Sequence, residues 1–561
     1  MNFERFARIF GRALIFTAIV AGVFFRFYNA EHKLLWHDEV YTQLFAAGTQ
    51  AREWRGAIYN AKPLDVSKVQ ALTRDRPERG VFDTIRGLAE DEPQHPPVYY
   101  ILARIYVAQF GDSIAVLRGL SAILSLLALP AMFWLCLELG ASRRACWSGV
   151  ALIAVSPFFV LYAQEARQYS LWAALIIALN AALLRALHLT ESILTSKEQT
   201  PGNPRNIHAD SYTGRVFGAW SVYAGFVALA LYVSFSTAAV LFSQAIFVAL
   251  CTRLHINRLS LTAAAAMTAG VALFAPWAYL LWRNLQAFSL SMAWSKVTTI
   301  PRIELFESLA LNISRVFWNV DDVSGKIESP LMLIGVLATV GLTLYALFFV
   351  YKNAGPRRLR DLLFALFLIP IVMLLLPDLL FGGIRSISGR YLTPAWIAAL
   401  CAVAIALDSP PAQSPRRFVI SPGRALLFAI LAAGLASCYA NAQRQVVWTK
   451  GISVKLPKAA EIINQARQPL VVGDFERHHP GNLLALSHLL KAGTRLQFLP
   501  RHDPNYRLPA GIRNVFLYSP IPEFRASLRD DQGKQVESTL LLRGLYLDLW
   551  RVEQADRRPK N

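Results

Sequence analysis

The chain has 561 residues, of which 55% are hydrophobic and only 17% charged, with a formal net charge of +20. An ordinary globular chain carries about 45–50% apolar and about 25% charged residues, so the balance excludes a disordered chain, which needs the opposite bias. Five cysteines (Cys136, Cys146, Cys251, Cys401, Cys438), all in or beside apolar runs, exclude a disulfide scaffold. The basic excess reads first as membrane topology, and nucleic acid is set aside as a partner.

A span needs roughly 20 mostly apolar residues to cross the hydrocarbon core. The first run, 13–28, follows Arg5, Arg8 and Arg12. No small-x-small cleavage site precedes Glu31, so it reads as an uncleaved span with a cytoplasmic N-terminus. A long outer segment, 29–96, comes next. It contains Leu35-Trp36-His37-Asp38-Glu39-Val40-Tyr41-Thr42, two adjacent carboxylates just past the outer end of the span. They fit a solvated helix start, where acidic residues are favoured. They equally fit a reactive pair hemmed in by Trp36, Val40 and Tyr41, where a lipid-borne head group would lie.

Gln94-His95-Pro96-Pro97-Val98-Tyr99-Tyr100 follows. The prolines suit the first turn of a helix, and His95 at that start would face an interfacial phosphate. The apolar segment 97–110 is too short to span comfortably. It reads as a separate helix along the outer interface, the alternative being a kinked extension of the next run.

Further runs lie at 114–139, 145–162, 168–187, 216–233, 237–250, 259–282, 330–350, 361–381, 391–407 and 425–440, giving eleven, with a weak break at Ser234-Phe235-Ser236. The intervening basic residues fall mostly on one side. They are Arg143-Arg144, then Lys197, Arg205 and Arg215, then Arg253 and Arg258, then Lys352, Arg357, Arg358 and Arg360, then Arg416, Arg417 and Arg424. The positive-inside rule places that side in the cytoplasm.

Two outer turns carry charge. Tyr162-Ala163-Gln164-Glu165-Ala166-Arg167-Gln168-Tyr169 joins two spans, and ionisable residues at membrane depth are functional candidates by default. A local Glu165–Arg167 pair is the plainer account. Arg385-Ser386-Ile387-Ser388-Gly389-Arg390-Tyr391-Leu392-Thr393-Pro394 offers guanidinium groups, which suit phosphate, or which anchor the chain at the interface together with Tyr391. The tail, 441–561, alternates helix-like (457–467, 481–491) with strand-like (470–472, 515–518, 545–550) stretches. It carries 19 Lys and Arg against 11 Asp and Glu. The sequence therefore predicts an all-α polytopic membrane protein of about 11 to 13 spans over 1–440, followed by a small extracytoplasmic α/β domain over 441–561.

Asp38-Glu39, His95-Pro96-Pro97-Val98-Tyr99-Tyr100, Phe110-Gly111-Asp112-Ser113 with Leu117-Arg118, and Gln164-Glu165-Ala166-Arg167-Gln168-Tyr169 occur in this order. Together they resemble the bacterial protein O-mannosyltransferase-like family of the GT-C glycosyltransferases, which includes the lipid A aminoarabinose transferases. The likeness is specific over about 12–187, looser through Pro276-Trp277 and Arg390-Tyr391-Leu392, and absent from the tail. Two positions depart from the pattern. His95 stands where some relatives have Lys, and Tyr232-Val233-Ser234-Phe235 replaces a Tyr-Thr-His-Tyr motif.

The resemblance implies transfer of a sugar from a polyprenyl-phosphate donor to a lipid, glycan or protein acceptor, on the outer face of the bacterial inner membrane. It implies Asp38 as base, with Glu39 and Glu165 as further catalytic carboxylates. A free Asp, with a pKa of about 3.9, is a poor base, and an aromatic-walled pocket would raise that value. His95, Arg167, Arg385 and Arg390 would bind the donor phosphate. Trp36, Tyr41, Tyr99, Tyr100, Tyr169 and Tyr391 would line the pocket. Direct displacement would invert the anomeric carbon. A divalent metal on Asp38, Glu39 and Glu165 stays open, since oligosaccharyltransferases of the superfamily use one and relatives with an Asp-Glu motif often do not. A transporter or flippase of lipid-linked sugars is the rival reading; it would need charges near the bilayer middle.

Overall fold

The computed structural model describes residues 3–199, 209–297, 300–319, 323–353, 357–408, 421–476, 479–544 and 547–553. Arg205, Arg416 and Arg417 of the basic loops lie outside them, as do residues 545–546 of the last predicted strand. The backbone divides into two compact units. One comprises Met1–His32, Leu88–Tyr99 and Arg118–Arg444; the other comprises Lys33–Gly87, Tyr100–Leu117 and Gln445–Asn561. Sequence alone keeps the whole segment 29–96 with the spans, whereas most of it shares a unit with the tail.

In the first unit, all eleven apolar runs are helical. Eight are long and apolar enough to cross a membrane, two are bent helix pairs, and Thr237–Cys251 is a shorter apolar helix. The chain is a polytopic membrane protein. Val98–Phe110, most of it assigned to the second unit, forms its own short helix, ended at Gly111, whose φ of +95° few other residues adopt.

The helices that organise the unit are α1 (Phe3–Phe27), α2 (Arg143–Val155), α3 (Pro157–Ala163), α4 (Tyr169–Gln199), α5 (Arg302–Phe317), α6 (Thr393–Asp408) and α7 (Pro422–Gln443). The apolar spans containing α4 and α6 are 94% and 89% buried within the protein, against 17% for that of α1. Thus α4 and α6 form the centre, and α1 presents most of its surface outward.

The pair α2–α3 bends by 57° at Ser156-Pro157. Pro157 has no N–H to return to the carbonyl of Ile153, so the bend exposes helix acceptors in an apolar setting. Arg26 of α1 supplies the missing donors, reaching Ile153 O at 3.1 Å and Ala154 O at 2.6 Å, and also Ser125 Oγ at 3.1 Å. Only glycine allows this approach, because a Cβ at Gly22 would lie 2.3 Å from Ala154 O. From the other side the Cys438 thiol of α7 donates to Val155 O at 3.3 Å. Ser156 Oγ donates to Val316 O of α5 at 2.5 Å. A buried guanidinium thus fixes where α3 points.

The second unit is built on a six-stranded sheet. Its strands are β1 (Leu64–Asp65), β2 (Leu470–Asp474), β3 (Arg495–Leu499), β4 (Val515–Tyr518), β5 (Glu537–Leu542) and β6 (Leu549–Glu553), in the order β1-β3-β2-β4-β6-β5. β2 runs parallel to β3 and β4, and the other pairings are antiparallel. Side chains alternate across a strand, so Val471 enters one apolar core while Leu470 and Val472 enter another. The first core takes in Val40 and Leu44 of the helix His37–Ala46. β1 joins the edge through Leu64 opposite Leu496.

The tail helices Leu456–Asn464 and Pro480–Ser487, and the strands β2 and β4, fall where the sequence places them. Of the last predicted strand, Leu549 and Trp550 fall in β6, and β3 and β5 escape the sequence reading. β3 is Arg-Leu-Gln-Phe-Leu, too short and too polar to stand out by alternation.

Candidate functional site

The turn between α3 and α4 is held from its first residue. The last carbonyls of a helix lack intrahelical donors, and Gln164 Nε2 donates to two carbonyls at the end of α1, Phe25 O at 2.7 Å and Tyr28 O at 2.9 Å. The turn is consequently inside the protein, with every residue from Gln164 to Ser170 buried. Glu165 is 0% and Arg167 2% exposed.

Arg167 Nη2 lies 3.2 Å from His95 Nε2, and the Gln168 amide lies 3.2 Å from His95 Nδ1. A guanidinium only donates, so Nε2 is the acceptor and the imidazole proton sits on Nδ1. Glu92 stands 4.0 Å from the same imidazole. The indole of Trp277 donates to Pro93 O at 3.0 Å and steadies the segment that carries His95.

Arg390 completes this set. Its guanidinium lies 5.2 Å above the Tyr169 ring and 5.3 Å from that of Tyr391, and Tyr169 meets Tyr162 edge-on at 5.6 Å. The Tyr162 hydroxyl stands in the electrostatic field of Glu165, Tyr169, Arg315 and Arg390. Arg315 went unnoticed in the sequence, since α5 lies in a stretch without a clear apolar run. It donates to Asn312 Oδ1 at 3.0 Å, and Asn312 Nδ2 donates to Ile387 O at 3.0 Å. Asn312 is therefore an internal strut on which the loop before α6 rests.

Two expected members of this set are engaged elsewhere. Arg385 Nη1 donates to Asp378 Oδ1 at 2.7 Å and to Gly382 O at 2.9 Å. Asp378 also accepts from the Ser386 amide and hydroxyl. The phosphate role expected of Arg385 gives way to one of bracing its own loop, because its charge is already met by a buried carboxylate. Tyr99 is fully buried, and its hydroxyl meets Ser121 Oγ at 2.7 Å rather than an open pocket.

In the second unit, Trp36 precedes the helix His37–Ala46, and Asp38 and Glu39 occupy its first turn. Successive helical residues diverge by about 100°, so the two carboxylates cannot face the same way. Glu39 turns inward, fully buried, and accepts from Lys450 Nζ at 2.8 Å; the same ammonium donates to Leu34 O at 2.6 Å. Asp38 stays partly exposed, its Oδ1 3.2 Å from His37 Nε2.

His37 is held edge-on between Trp36 at 4.6 Å and His479 at 4.5 Å, with Tyr41 also against His479. Gly481 admits the close fit, since a Cβ there would lie 2.8 Å from that of His37. Lys450 and His479 come from the tail and carry no local signal in the sequence. Tyr100 is buried edge-on against Phe45 at 5.7 Å.

The structure thus gathers Glu165, Arg167, His95, Tyr169, Arg390 and Tyr391 in one unit, and Trp36, Asp38, Glu39 and Tyr41 in the other. Among the described residues, no group of three or more His, Cys, Asp or Glu side chains is placed to hold a metal ion. Glu39 is committed to Lys450.

No family model and no curated protein matches the sequence. Among solved structures the chain is similar to ArnT from Cupriavidus metallidurans bound to undecaprenyl phosphate. The TM-score is 0.51 at 11% identity, over 97% of this chain and 98% of that one. It is also similar to the archaeal oligosaccharyltransferase AglB from Archaeoglobus fulgidus in complex with an inhibitory peptide and a dolichol-phosphate. That TM-score is 0.48 at 13% identity, over 91% and 70% of the two chains. At such identity the likeness to ArnT is one of fold alone.

Proposed function

We propose that the chain is a membrane glycosyltransferase that moves a sugar from a polyprenyl-phosphate donor to a nucleophilic acceptor group at the outer face of the bacterial inner membrane. The observation that carries this reading is the buried turn at Glu165 and Arg167, set at the ends of membrane helices with His95 and Arg390 in the same cluster. Ionisable groups are expensive there unless they serve a ligand or a charge partner. The fold shared with a protein bound to undecaprenyl phosphate supports a lipid-linked donor.

In the proposed reaction, Asp38 takes a proton from the acceptor as the acceptor attacks the anomeric carbon. The bond from that carbon to the phosphate oxygen breaks with inversion, and the polyprenyl phosphate leaves with the electron pair. Charge develops on the phosphate oxygens, where Arg167 and Arg390 supply donors that need no rearrangement at that moment, and His95 holds the Arg167 guanidinium in place. Tyr169 and Tyr391 hold Arg390 by cation–π contact. Glu39 acts through position: its bond to Lys450 fixes the helix turn that aims Asp38. His37 orients the Asp38 carboxylate. Glu165 balances the local positive charge and fixes the turn from which Arg167 projects.

The test is sugar transfer by the purified protein from a panel of polyprenyl-phosphate sugars, comparing wild type with Asp38→Asn. Loss of transfer in a variant that melts normally supports the reading. Near-normal transfer sinks Asp38 as base, and movement of donor across vesicles without a transfer product would favour the flippase.

A further inference from the structure

At the other end of the same helices lies a second feature that the proposed reaction does not use. A cavity of about 490 Å³ opens between α1, α2, α6 and α7, lined by Arg12, Arg143, Arg144 and Arg424 with a single acidic residue, Asp408. Its remaining wall is apolar, from Phe10, Phe16, Trp147 and Phe428 among others. Arg12 precedes Arg26 on α1 by fourteen residues, about 21 Å along a helix. Arg143 begins α2, Asp408 ends α6 and Arg424 sits in the first turn of α7, so four helices place the cavity at the end away from Glu165 and Arg390.

We infer that this cavity binds an anionic glycerophospholipid of the membrane, its phosphodiester on the arginines and its acyl chains along Phe16 and Trp147. Positive charge at one end of a membrane bundle is ordinarily topological, and three details go beyond that. First, the charge is gathered: the arginines line one cavity whose volume lies in the range of ligand sites.

Second, the cavity is braced. Asp408, with a side chain 4% exposed, accepts from Ser142 Oγ at 2.9 Å and stands 3.8 Å from Arg424 Nε. One guanidinium is thereby held in place at the rim. Arg12, Arg143 and Arg144 make no ion pair within 4 Å among the described residues. Third, the chemistry is amphiphilic. Phe16 and Trp147 are 68% and 52% exposed beside the arginines, which suits a ligand with a charged head and an apolar tail better than a free anion. Basic pockets between membrane helices recognise lipid head groups on this principle.

Native mass spectrometry of the detergent-purified full chain tests the inference, with phosphatidylglycerol, phosphatidylcholine and inorganic phosphate as probes. Retained phosphatidylglycerol, with affinity lowered about tenfold or more by the exposed double substitution Arg143→Gln/Arg144→Gln, is the expected result. The same change at Arg253→Gln/Arg258→Gln, which lies outside the cavity, should leave it nearly intact. Equal retention of phosphatidylcholine, equal loss in the two double variants, or displacement by millimolar inorganic phosphate overturns it. An independent measurement on the unmodified chain uses a photoreactive phosphatidylglycerol. Label on peptides spanning residues 10–19, 143–148 and 424–428 supports the site, and label spread evenly over the membrane helices refutes it.

Discussion

In the first turn of the helix His37–Ala46 one buried carboxylate meets one buried ammonium, Glu39 and Lys450, at 2.8 Å. In the turn between α3 and α4, Glu165 and Arg167 are as deeply buried, but the charge is shared with His95, Glu92 and Arg390 and flanked by tyrosine rings. A buried ion pair of this kind neutralises itself and locks a backbone. A cluster of several donors around aromatic faces keeps geometry that a phosphate can enter. The same contrast separates the neighbours Asp38 and Glu39, one partly exposed beside an imidazole and the other sealed.

The largest expected effect tests the cluster. Arg167→Gln should lower transfer per folded molecule by about 10²–10³-fold, the loss typical of one donor to a developing oxyanion. Activity within a few-fold of wild type would make the turn structural and erase its difference from the Glu39 pair. The substitution is read at equal folded fraction, by size-exclusion profile and melting curve.

The pair gives the opposite signature. Lys450→Met leaves Glu39 buried without its ammonium and should cost about 3–5 kcal/mol of stability, whereas Glu39→Leu/Lys450→Met should regain most of it. Thermal melting of the three proteins measures this. If the double variant is no better than the single, the two side chains are not a pair in solution. If it regains both stability and full transfer, Glu39 is a strut alone. A double variant that is stable but slow would show that the pair aims Asp38.

Gly481→Ala probes the same turn from the tail. The new methyl would lie 2.8 Å from His37 Cβ and 2.9 Å from the Tyr41 ring, an overpacking of about 1–3 kcal/mol. Transfer should fall with the melting midpoint, because His37 neighbours the Asp38 carboxylate. An unchanged melting curve would mean that His479 and Gly481 do not seat against this turn.

What the sequence discloses follows from how each contact is encoded. Apolar runs are local, so all eleven are legible, as is the fold. Charges at the ends of spans are equally conspicuous, which is why Glu165, Arg167, His95 and Arg390 can be singled out beforehand. Lys450 meets Glu39 across 411 residues, and Arg26 meets Ala154 across 128, so neither pairing leaves a pattern in any short window. Arg385 shows the converse error. Its chemistry suits phosphate, but Asp378, seven residues earlier, lies inside the apolar run 361–381, where nothing local marks it as a partner. For Tyr99 and Tyr100 residue type suits a pocket wall, and type does not reveal that Ser121 and Phe45 pack against them.

His488 shows a third way to bury an ionisable group, by leaving it neutral. Its Nε2 lies 3.2 Å from Thr73 Oγ1, and burial, aided by the positive charge of Arg74, pushes its pKa down from 6.5 to about 4. The unfolded chain therefore binds a proton that the folded chain refuses between these values, and stability rises with pH across that window. The contribution is complete above pH 6.5 and drains away as the pH falls towards 4, amounting to about 1 kcal/mol by pH 5.5. His488→Gln cannot take up the proton, so its melting midpoint should fall less than that of wild type between pH 7.5 and 5.5. Parallel curves for wild type and His488→Gln would assign the acid sensitivity of this unit to other groups and leave His488 open to solvent.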